Sequence, residues 1–440
     1  MRVLEVNDAG LRLSDGAQVL ATEPGFASVR GDQIIVGESA RRLARQSPQL
    51  SHSRFWYQLD QTPLERPLGR VRNTADLAYW HLRQLREAAE GQPLVLAVPS
   101  SFEADQLGLL LGLCRAAELG AVGLVDAAVA AVAAGAPAAA TGVVLHVDVQ
   151  LHRVWLTRLA VDAAVVRSAG HDLAKPGLVS VWDAAATVIA EAFVRQTRVD
   201  PLHSAASEQA LYDALPDWLA QLSRSPVASL ALTVGGRSHR ISLARDAVVV
   251  ALNPLLTRIT QALRADVAAA PDAQVMLSDR AAAIPGLLDA LTTALGTAPP
   301  VLTPLAAAQG ALRHRALIQT GAEALPWVTR LPAAARAAPE APETTAPPPP
   351  VAPPAAPVQA ALPPPTHLLL GDEATALVSD RVAEAWGLRV MAREDGAVGL
   401  RADSAVQLNG APLVADTALK AGDWLQVQDR VLRVIRVRDS

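Results

Sequence analysis

Between Pro332 and Pro365 the chain is almost nothing but alanine and proline, with Pro347–Pro350 and Pro363–Pro365 as unbroken proline runs. Such a stretch has too little bulky apolar side chain to bury, and its backbone favours extended polyproline II. No folded core can run through it. Residues 332–366 therefore read as a flexible Ala/Pro-rich tether that cuts the 440-residue chain into a long segment, 1–331, and a short one, 367–440. The sharper alternative is a docking site for a proline-reading domain, which nothing in the flanking sequence selects.

The long segment can bury a large core. Hydrophobic residues are 51% of the chain and aromatics only 3%, so alanine and leucine carry the apolar fraction, as in helices packed on sheets. Leu94–Val98 reads as a buried strand that runs into Pro99-Ser100-Ser101-Phe102-Glu103, where Ser100 and Glu103 have capping-box spacing for the helix that follows. Ala121–Val125 is a second strand, followed by an alanine-rich helix. Val143–Leu159 reads as a hairpin, and Val161–Val166 as a third strand beside it. Helical periodicity covers Asp183–Arg195, Ser207–Leu222, Arg245–Ala268 and Ile284–Leu295, and Gly235-Gly236 turns a polar hairpin. Strands alternating with helices, then a meander, predict an α/β fold with a mixed sheet.

Other features exclude function classes. A net charge of −4 gives no basic field for nucleic acid. The start of the chain lacks the apolar core of a signal peptide, and no uncharged span is long enough to cross a bilayer, so the expected compartment is the cytoplasm and no membrane insertion is expected. Cys114 lies in an apolar helical run and reads as a buried, inert thiol. No G-x-S-x-G, Cys–His pairing or Walker-type loop appears.

Five stretches carry a family resemblance. Pro24-Gly25-Phe26-Ala27-Ser28-Val29 with Ile34–Ala40 is similar to a "TPSxV … VGxxA" segment, Leu96–Phe102 to a "TVPAYF" strand end, and Leu124–Ala131 to "INEPTAAAL". Val275–Pro285 looks like "VLVGGSTRIP", and Ala306–Ala311 like "AVAYGAA". In shared order these resemble the nucleotide-binding domain of Hsp70, in the actin–hexokinase–Hsp70 superfamily. The resemblance implies a two-lobed actin-like fold over residues 1–331 and a cleft for ATP or ADP with Mg²⁺.

The departures from the family fall where its chemistry sits. Two glycine-rich hairpins wrap the phosphates in that family, because backbone N–H groups must approach them closely. The first, "DLGTT", corresponds to Asn7-Asp8-Ala9-Gly10-Leu11, with Asn7 in place of the catalytic-site aspartate; a one-residue shift brings Asp8 and Gly10 nearer those roles. The second, "DLGGGT", corresponds to Asp148-Val149-Gln150-Leu151-His152-Arg153, which keeps Asp148 and puts Gln150, Leu151 and His152 in place of three glycines. The adenosine loop becomes Asp279-Arg280-Ala281-Ala282-Ala283, and the "NEP" glutamate becomes Asp126. The family's catalytic lysine falls near Trp56. Lys175 is the first lysine in the chain and the one candidate for a cationic rescue. A retained cleft would thus be built from Asn7, Asp8, Gly10, Asp126, Asp148, Lys175, Asp279 and Arg280. Asp148 could hold a hydrated Mg²⁺, or be an ordinary strand-end carboxylate. His146 and His152 flank it at even spacing on an expected strand, but no further cluster supplies the remaining ligands of a zinc site.

In the short segment, Asn409-Gly410 and Lys420–Asp423 are turn signals, and Trp424–Val427 with Val431–Ile435 form a closing hairpin across Asp429-Arg430. A small all-β sandwich or barrel is the natural package, and of the two a β-sandwich is the expectation. Val406–Leu413 with Leu419–Val427 resembles the closing half of a forkhead-associated (FHA) domain, which implies a binding surface around Ser379, Arg381, Asn409 and Gly410. Asp372 stands where that family has an arginine for phosphothreonine, so an unphosphorylated protein partner is as good a fit.

Together these imply an Hsp70-like pseudo-ATPase, with weak or no hydrolysis, serving as scaffold or adaptor in a bacterial assembly. It needs no cofactor and has an unidentified protein partner. The tether begins where the family's substrate-binding domain would stand. The alternative is an active ATP-binding chaperone whose lobe closure switches a partner. A filament-forming relative of actin is a third reading.

Overall fold

The computed structural model describes residues 1–64, 69–135, 142–175, 177–319, 325–333, 366–370, 373–377, 388–392, 398–402, 406–409, 411–413, 417–420, 422–427 and 430–435. The chain groups into two units, Met1–Glu343 and Thr344–Ser440. Most of the proposed tether lies outside the described residues.

The first unit is a mixed α/β structure. It opens with β1 (Arg2–Glu5), β2 (Leu11–Ser14) and β3 (Val19–Glu23), an antiparallel meander. A small antiparallel sheet of β4 (Ala27–Arg30), β5 (Gln33–Val36) and β6 (Ser51–His52) follows, with α1 (Gly37–Arg41) at its end. After α2 (Thr74–Ala89) come β7 (Leu94–Val98), α3 (Ala104–Ala116), β8 (Ala121–Asp126) and α4 (Ala127–Gly135). Strands β7 and β8 join the meander in parallel. Every residue of β7 is buried, as a parallel strand covered on both faces must be.

The pattern then repeats. Strands β9 (Gly142–Val149), β10 (Val154–Val161) and β11 (Ala164–Ala174) form a second antiparallel meander. Helices α5 (Leu178–Thr197) and α6 (Ala205–Arg224) lead to the hairpin β12 (Val227–Val234) and β13 (Arg237–Ala244), then α7 (Arg245–Ala269). Gly235 and Gly236 take φ of 57° and 77°, the left-handed backbone that a two-residue hairpin turn needs. β14 (Gln274–Leu277) then pairs in parallel with β9. Short α8 (Asp279–Ala282), α9 (Leu287–Leu295), α10 (Ala306–Arg313) and α11 (Arg315–Ile318) precede β15 (Trp327–Val328) and β16 (Arg330–Pro332).

The two large sheets run β15-β8-β7-β1-β2-β3 and β14-β9-β10-β11-β16. In each, a three-stranded meander is extended in parallel from its first strand. Consequently the β1–β2 and β9–β10 turns occupy equivalent places in the two sheets. Between the sheets lies an apolar layer rich in alanine and valine, in which α4 crosses α10 so closely that a methyl on Gly310 would collide with the Ala130 carbonyl.

Two expectations change. Strand β16 runs to Pro332 and pairs with Ala164 of β11, so the fold extends into the start of the proposed tether. A proline is tolerated there because the strand lies at a sheet edge, where its missing N–H costs nothing. Helix α3 begins at Ala104 with Glu103 as N-cap, and Gln106 Oε1 accepts the Glu103 N–H at 3.2 Å. Ser100 is not part of that cap; its hydroxyl donates to Asp126 at 2.6 Å.

The second unit is all antiparallel. Strands β17 (His367–Leu370), β18 (Glu373–Ala376), β19 (Leu388–Ala392), β20 (Val398–Ala402), β21 (Val406–Leu408), β22 (Ala411–Pro412), β23 (Thr417–Ala418), β24 (Trp424–Val427) and β25 (Arg430–Ile435) form sheets β18-β17-β25-β24-β21-β22 and β19-β20-β23. Both contribute to one core, through Leu368 and Leu432 on one side and Leu388 on the other. No helix among the described residues is long and apolar enough to cross a membrane.

Candidate functional site

The two equivalent turns meet. Asn7, 1% exposed, donates its Nδ2 to Asp148 Oδ2 at 2.8 Å and to the Val149 carbonyl at 3.1 Å, while its Oδ1 accepts the Ala9 N–H at 2.9 Å. An aspartate at position 7 would set a second carboxylate against Asp148; the amide turns that repulsion into a hydrogen bond. Asp8 Oδ1 accepts the Leu151 N–H at 2.8 Å, and the Asp8 carbonyl accepts from Gly25. The other oxygen, Oδ2, is buried without a partner. Burial pushes the Asp8 carboxyl up to about 6, against the Leu151 hydrogen bond and the nearby Arg153 guanidinium, which pull it down.

Leu151 and His152 do not project into the space between the turns, as their replacement of glycines suggests, whereas Gln150 lines it. Leu151 is fully buried in the core of the second sheet. His152 Nε2 turns to Ser53, 2.9 Å from its carbonyl oxygen, so it does not join His146 and Asp148 in a metal cluster. Gln150 Nε2 donates to Ser101 Oγ at 3.1 Å, and its Oε1 accepts from Arg153 Nε at 2.7 Å. What meets the second turn's backbone is the carboxylate of Asp8 in the first. An anion supplied by the chain takes an N–H of the kind that a phosphate would need.

Further ties join the first meander to α8, the short helix that follows β14. Arg12 makes a two-pronged pair with Asp279, at 2.8 and 2.5 Å. Arg280, 8% exposed, donates to Glu5 at 2.6 Å and to the Gly10 carbonyl at 3.1 Å. Burial raises Asp279, but the Arg12 hydrogen bonds outweigh it and hold the carboxyl below its usual range. Arg280 stays charged despite its burial, because Glu5 and Asp148 lie beside it. Charge-assisted pairs of this kind are short and strong when little water reaches them.

The space left at the centre is small. A cavity of about 30 Å³ is lined by Glu5, His146, Asp148, Gln150, Asp279 and Arg280 among others, room for roughly two waters. Burial holds His146 neutral-leaning, below its ordinary range, despite the neighbouring carboxylates. Outside the Arg12–Asp279 pair, a second pocket of about 510 Å³ opens between Gly10, Arg41 and Arg42 on one wall and Trp182, Asp217 and Ile284 on the other. That volume falls in the range of small-molecule sites.

The remaining residues separate. Asp126, fully buried, caps α4 by accepting the Ala128 and Val129 N–H groups at 3.0 Å, and burial raises its carboxyl above the ordinary value. Lys175 lines neither cavity; it is exposed and pairs with Asp172 at 3.0 Å, so the expected cationic rescue does not reach the cleft. Cys114 is fully buried, and burial pushes its thiol up to about 12. Trp56, at the family's lysine position, is buried and donates to His81 Nδ1 at 2.9 Å. Sequence reasoning missed Glu5 and Arg12. No motif marks them, and only the fold brings Arg280 and Asp279 opposite them.

The residues do not fit a bound Mg²⁺. Both Asp148 oxygens accept hydrogen bonds, from Asn7 and from the Val149 N–H, while Glu5 and Asp279 are each neutralised by an arginine. Among the described residues no group of three or more His, Cys, Asp or Glu is placed to hold a metal ion. In the second unit, Ser379, Arg381 and Gly410 lie outside the described residues. Asn409 has φ of 52° and closes a turn, its Nδ2 donating to Asp423 at 2.9 Å and its Oδ1 accepting the Trp424 N–H at 3.0 Å. Those hydrogen bonds occupy Asn409 within its own unit. The chain matches no protein-family model and no curated protein.

Proposed function

We propose that the first unit is a two-lobed, actin-like head of Hsp70 type that has become a non-hydrolysing scaffold or adaptor. The resemblance in sequence order supports the fold, as do the twin meanders whose first turns face each other. The observation that carries the functional reading is the Asp8–Leu151 hydrogen bond. In a nucleotide-driven head, the two turns are bridged by phosphate and separate when it leaves. Here they are bridged by the chain's own carboxylate, and Asn7–Asp148, Arg12–Asp279 and Glu5–Arg280 reinforce the join. Phosphoryl transfer depends on positioning and on charges that stabilise the transferring group. A centre of about 30 Å³ with paired carboxylates provides neither. A head held closed in this way presents constant surfaces to partners, and an FHA-like module on the same chain adds a second contact.

A second reading rests on the outer pocket. Its volume of about 510 Å³ beside Arg280 and Ile284 could seat a nucleoside, with lobe closure driven by nucleotide as in an active chaperone. A thermal-shift titration separates the two. A nucleotide with a Kd of ~10 µM would, at ~1 mM, stabilise the native head by about 2.7 kcal/mol and raise its Tm by several degrees. The expected result is no saturable shift with Mg-ATP or Mg-ADP. A saturable rise that disappears in Asp148→Ala would overturn the proposal.

A further inference from the structure

The hairpin of β12 and β13 stands apart from both large sheets, and its two edges are treated differently. On β13, the Gln196 side chain pairs with the outward backbone of Ser242, donating to its carbonyl at 2.9 Å and accepting its N–H at 3.0 Å. That edge is capped. Ser229 stands opposite Ser242 in the register. In an antiparallel pair, residues opposite one another either both bond across the ladder or both face away from it. The backbone of Ser229 therefore faces outward on the β12 side, and so does that of Ala231 two residues on. Neither has a backbone partner among the described residues.

Strand β12 also lacks the usual protections of an edge. Val227–Val234 contains no charge, no proline and no bulge, whereas natural edges are commonly blunted by such devices. Its inner face, Ala228, Leu230 and Leu232, is buried against the helices beneath, while Val227, Ser229, Ala231 and Thr233 are exposed. The small side chains at Ser229 and Ala231 leave room for another strand. The local charge selects among occupants. From Val227 to Ala244 the hairpin carries Arg237 and Arg240 and no acidic residue; both arginines are exposed, and Arg240 reaches across to Ser229 Oγ at 3.5 Å. A second copy of the hairpin would bring arginines toward arginines; an acidic segment would meet opposite charge.

We propose that the free edge of β12 is a docking site for an extended acidic segment of a partner protein, which adds to the hairpin as a third strand. Backbone hydrogen bonds to Ser229 and Ala231 supply the affinity, and Arg240 and Arg237 select the acidic side chains. Naming the partner's chemistry rests on the adaptor reading, but the edge lies away from the cleft and does not depend on whether nucleotide binds there.

The test uses the full chain and a short, end-blocked, dye-labelled peptide alternating Thr and Glu, with a Thr/Lys peptide as counterpart, read by fluorescence anisotropy. Saturable binding of the acidic peptide is expected, lost in Ala231→Pro and weakened about tenfold in Arg240→Glu. Proline at an edge strand's outward position removes only an unpaired N–H, and a thermal melt checks that the variant folds. If it does not, Arg240→Glu and the loss of affinity with salt carry the test. No saturable binding up to ~1 mM, or equal binding of the lysine peptide, overturns the proposal. Self-association by sedimentation that Ala231→Pro abolishes, without peptide binding, also overturns it and gives the edge to a second copy. Nucleotide titration on the same sample shows separately whether the pseudo-ATPase reading stands.

Discussion

Gly310→Ala is expected to cost the head about 3 kcal/mol or more, lowering its unfolding transition by roughly 5–10 °C. In an exposed helix the same change would stabilise, since alanine is favoured over glycine by about 1 kcal/mol. Packing decides the sign here. Gly310 lies on α10 where that helix crosses α4, and an added methyl would meet the carbonyl carbon and oxygen of Ala130. The obstacle is backbone within a helix, so no side-chain rotation relieves it; the helices must move apart. That would open the layer where Ala130, Ala308, Val129 and Ala311 are buried together. Gly108→Ala in α3 is the control, because nothing lies within 4 Å of the added methyl, and it is expected to raise the transition slightly. If thermal melts show both variants changing alike, the close crossing is not what holds the two sheets together.

Gly310 also shows what could be read from the sequence. Its stretch, Ala306–Ala311, was legible only through the family resemblance and not as a helix. Helices α5, α6, α7 and α9 were legible from apolar periodicity, which survives where a helix's neighbours are unknown, and the β12–β13 hairpin from its paired glycines. What Gly310 touches was not legible, since Ala130 lies far away in sequence. The cleft divides similarly. Asn7, Asp8 and Asp148 were legible as loop positions, and the loss of glycines at Gln150, Leu151 and His152 pointed to altered chemistry. The physical reason for the alteration was not legible. Side-chain bulk at those positions suggested steric exclusion, but Leu151 turns into the core and His152 toward Ser53. The group that occupies the second turn comes from the first turn, across a sheet-to-sheet contact that no local pattern encodes. Lys175 was singled out for its charge and its place in the family's order, but in the structure it is exposed and paired with Asp172, three residues away.

Asp8 gives the most direct measure of that contact, through pH. Its carboxyl has an ordinary value of 3.8 and is pushed up to about 6 in the folded head, chiefly by burial. Between those values the folded state holds the proton more tightly than the unfolded state. Stability therefore falls as pH rises: the contribution is complete below the unfolded value and gone above about 6. At 1.36 kcal/mol per unit, the change is about 3 kcal/mol. Asp8→Asn keeps an oxygen for the Leu151 N–H but cannot ionise, so it escapes this loss. The variant is expected to gain about 2 kcal/mol of that change relative to the parent between pH 4 and pH 7, measured as the difference between their urea-unfolding free energies. Other carboxylates titrate in both proteins and cancel in that difference. A flat difference would mean that Asp8 titrates as an ordinary surface acid, and the internal anion would no longer explain why the turns stay joined. A rising difference, together with unchanged indifference to Mg-ATP, would mean that the parent tolerates a buried charge at neutral pH to hold its lobes together. Natural chains retain such a cost where a fixed conformation is itself the function, and the proposed scaffold reading asks for a fixed conformation more than for the stability given up at Asp8.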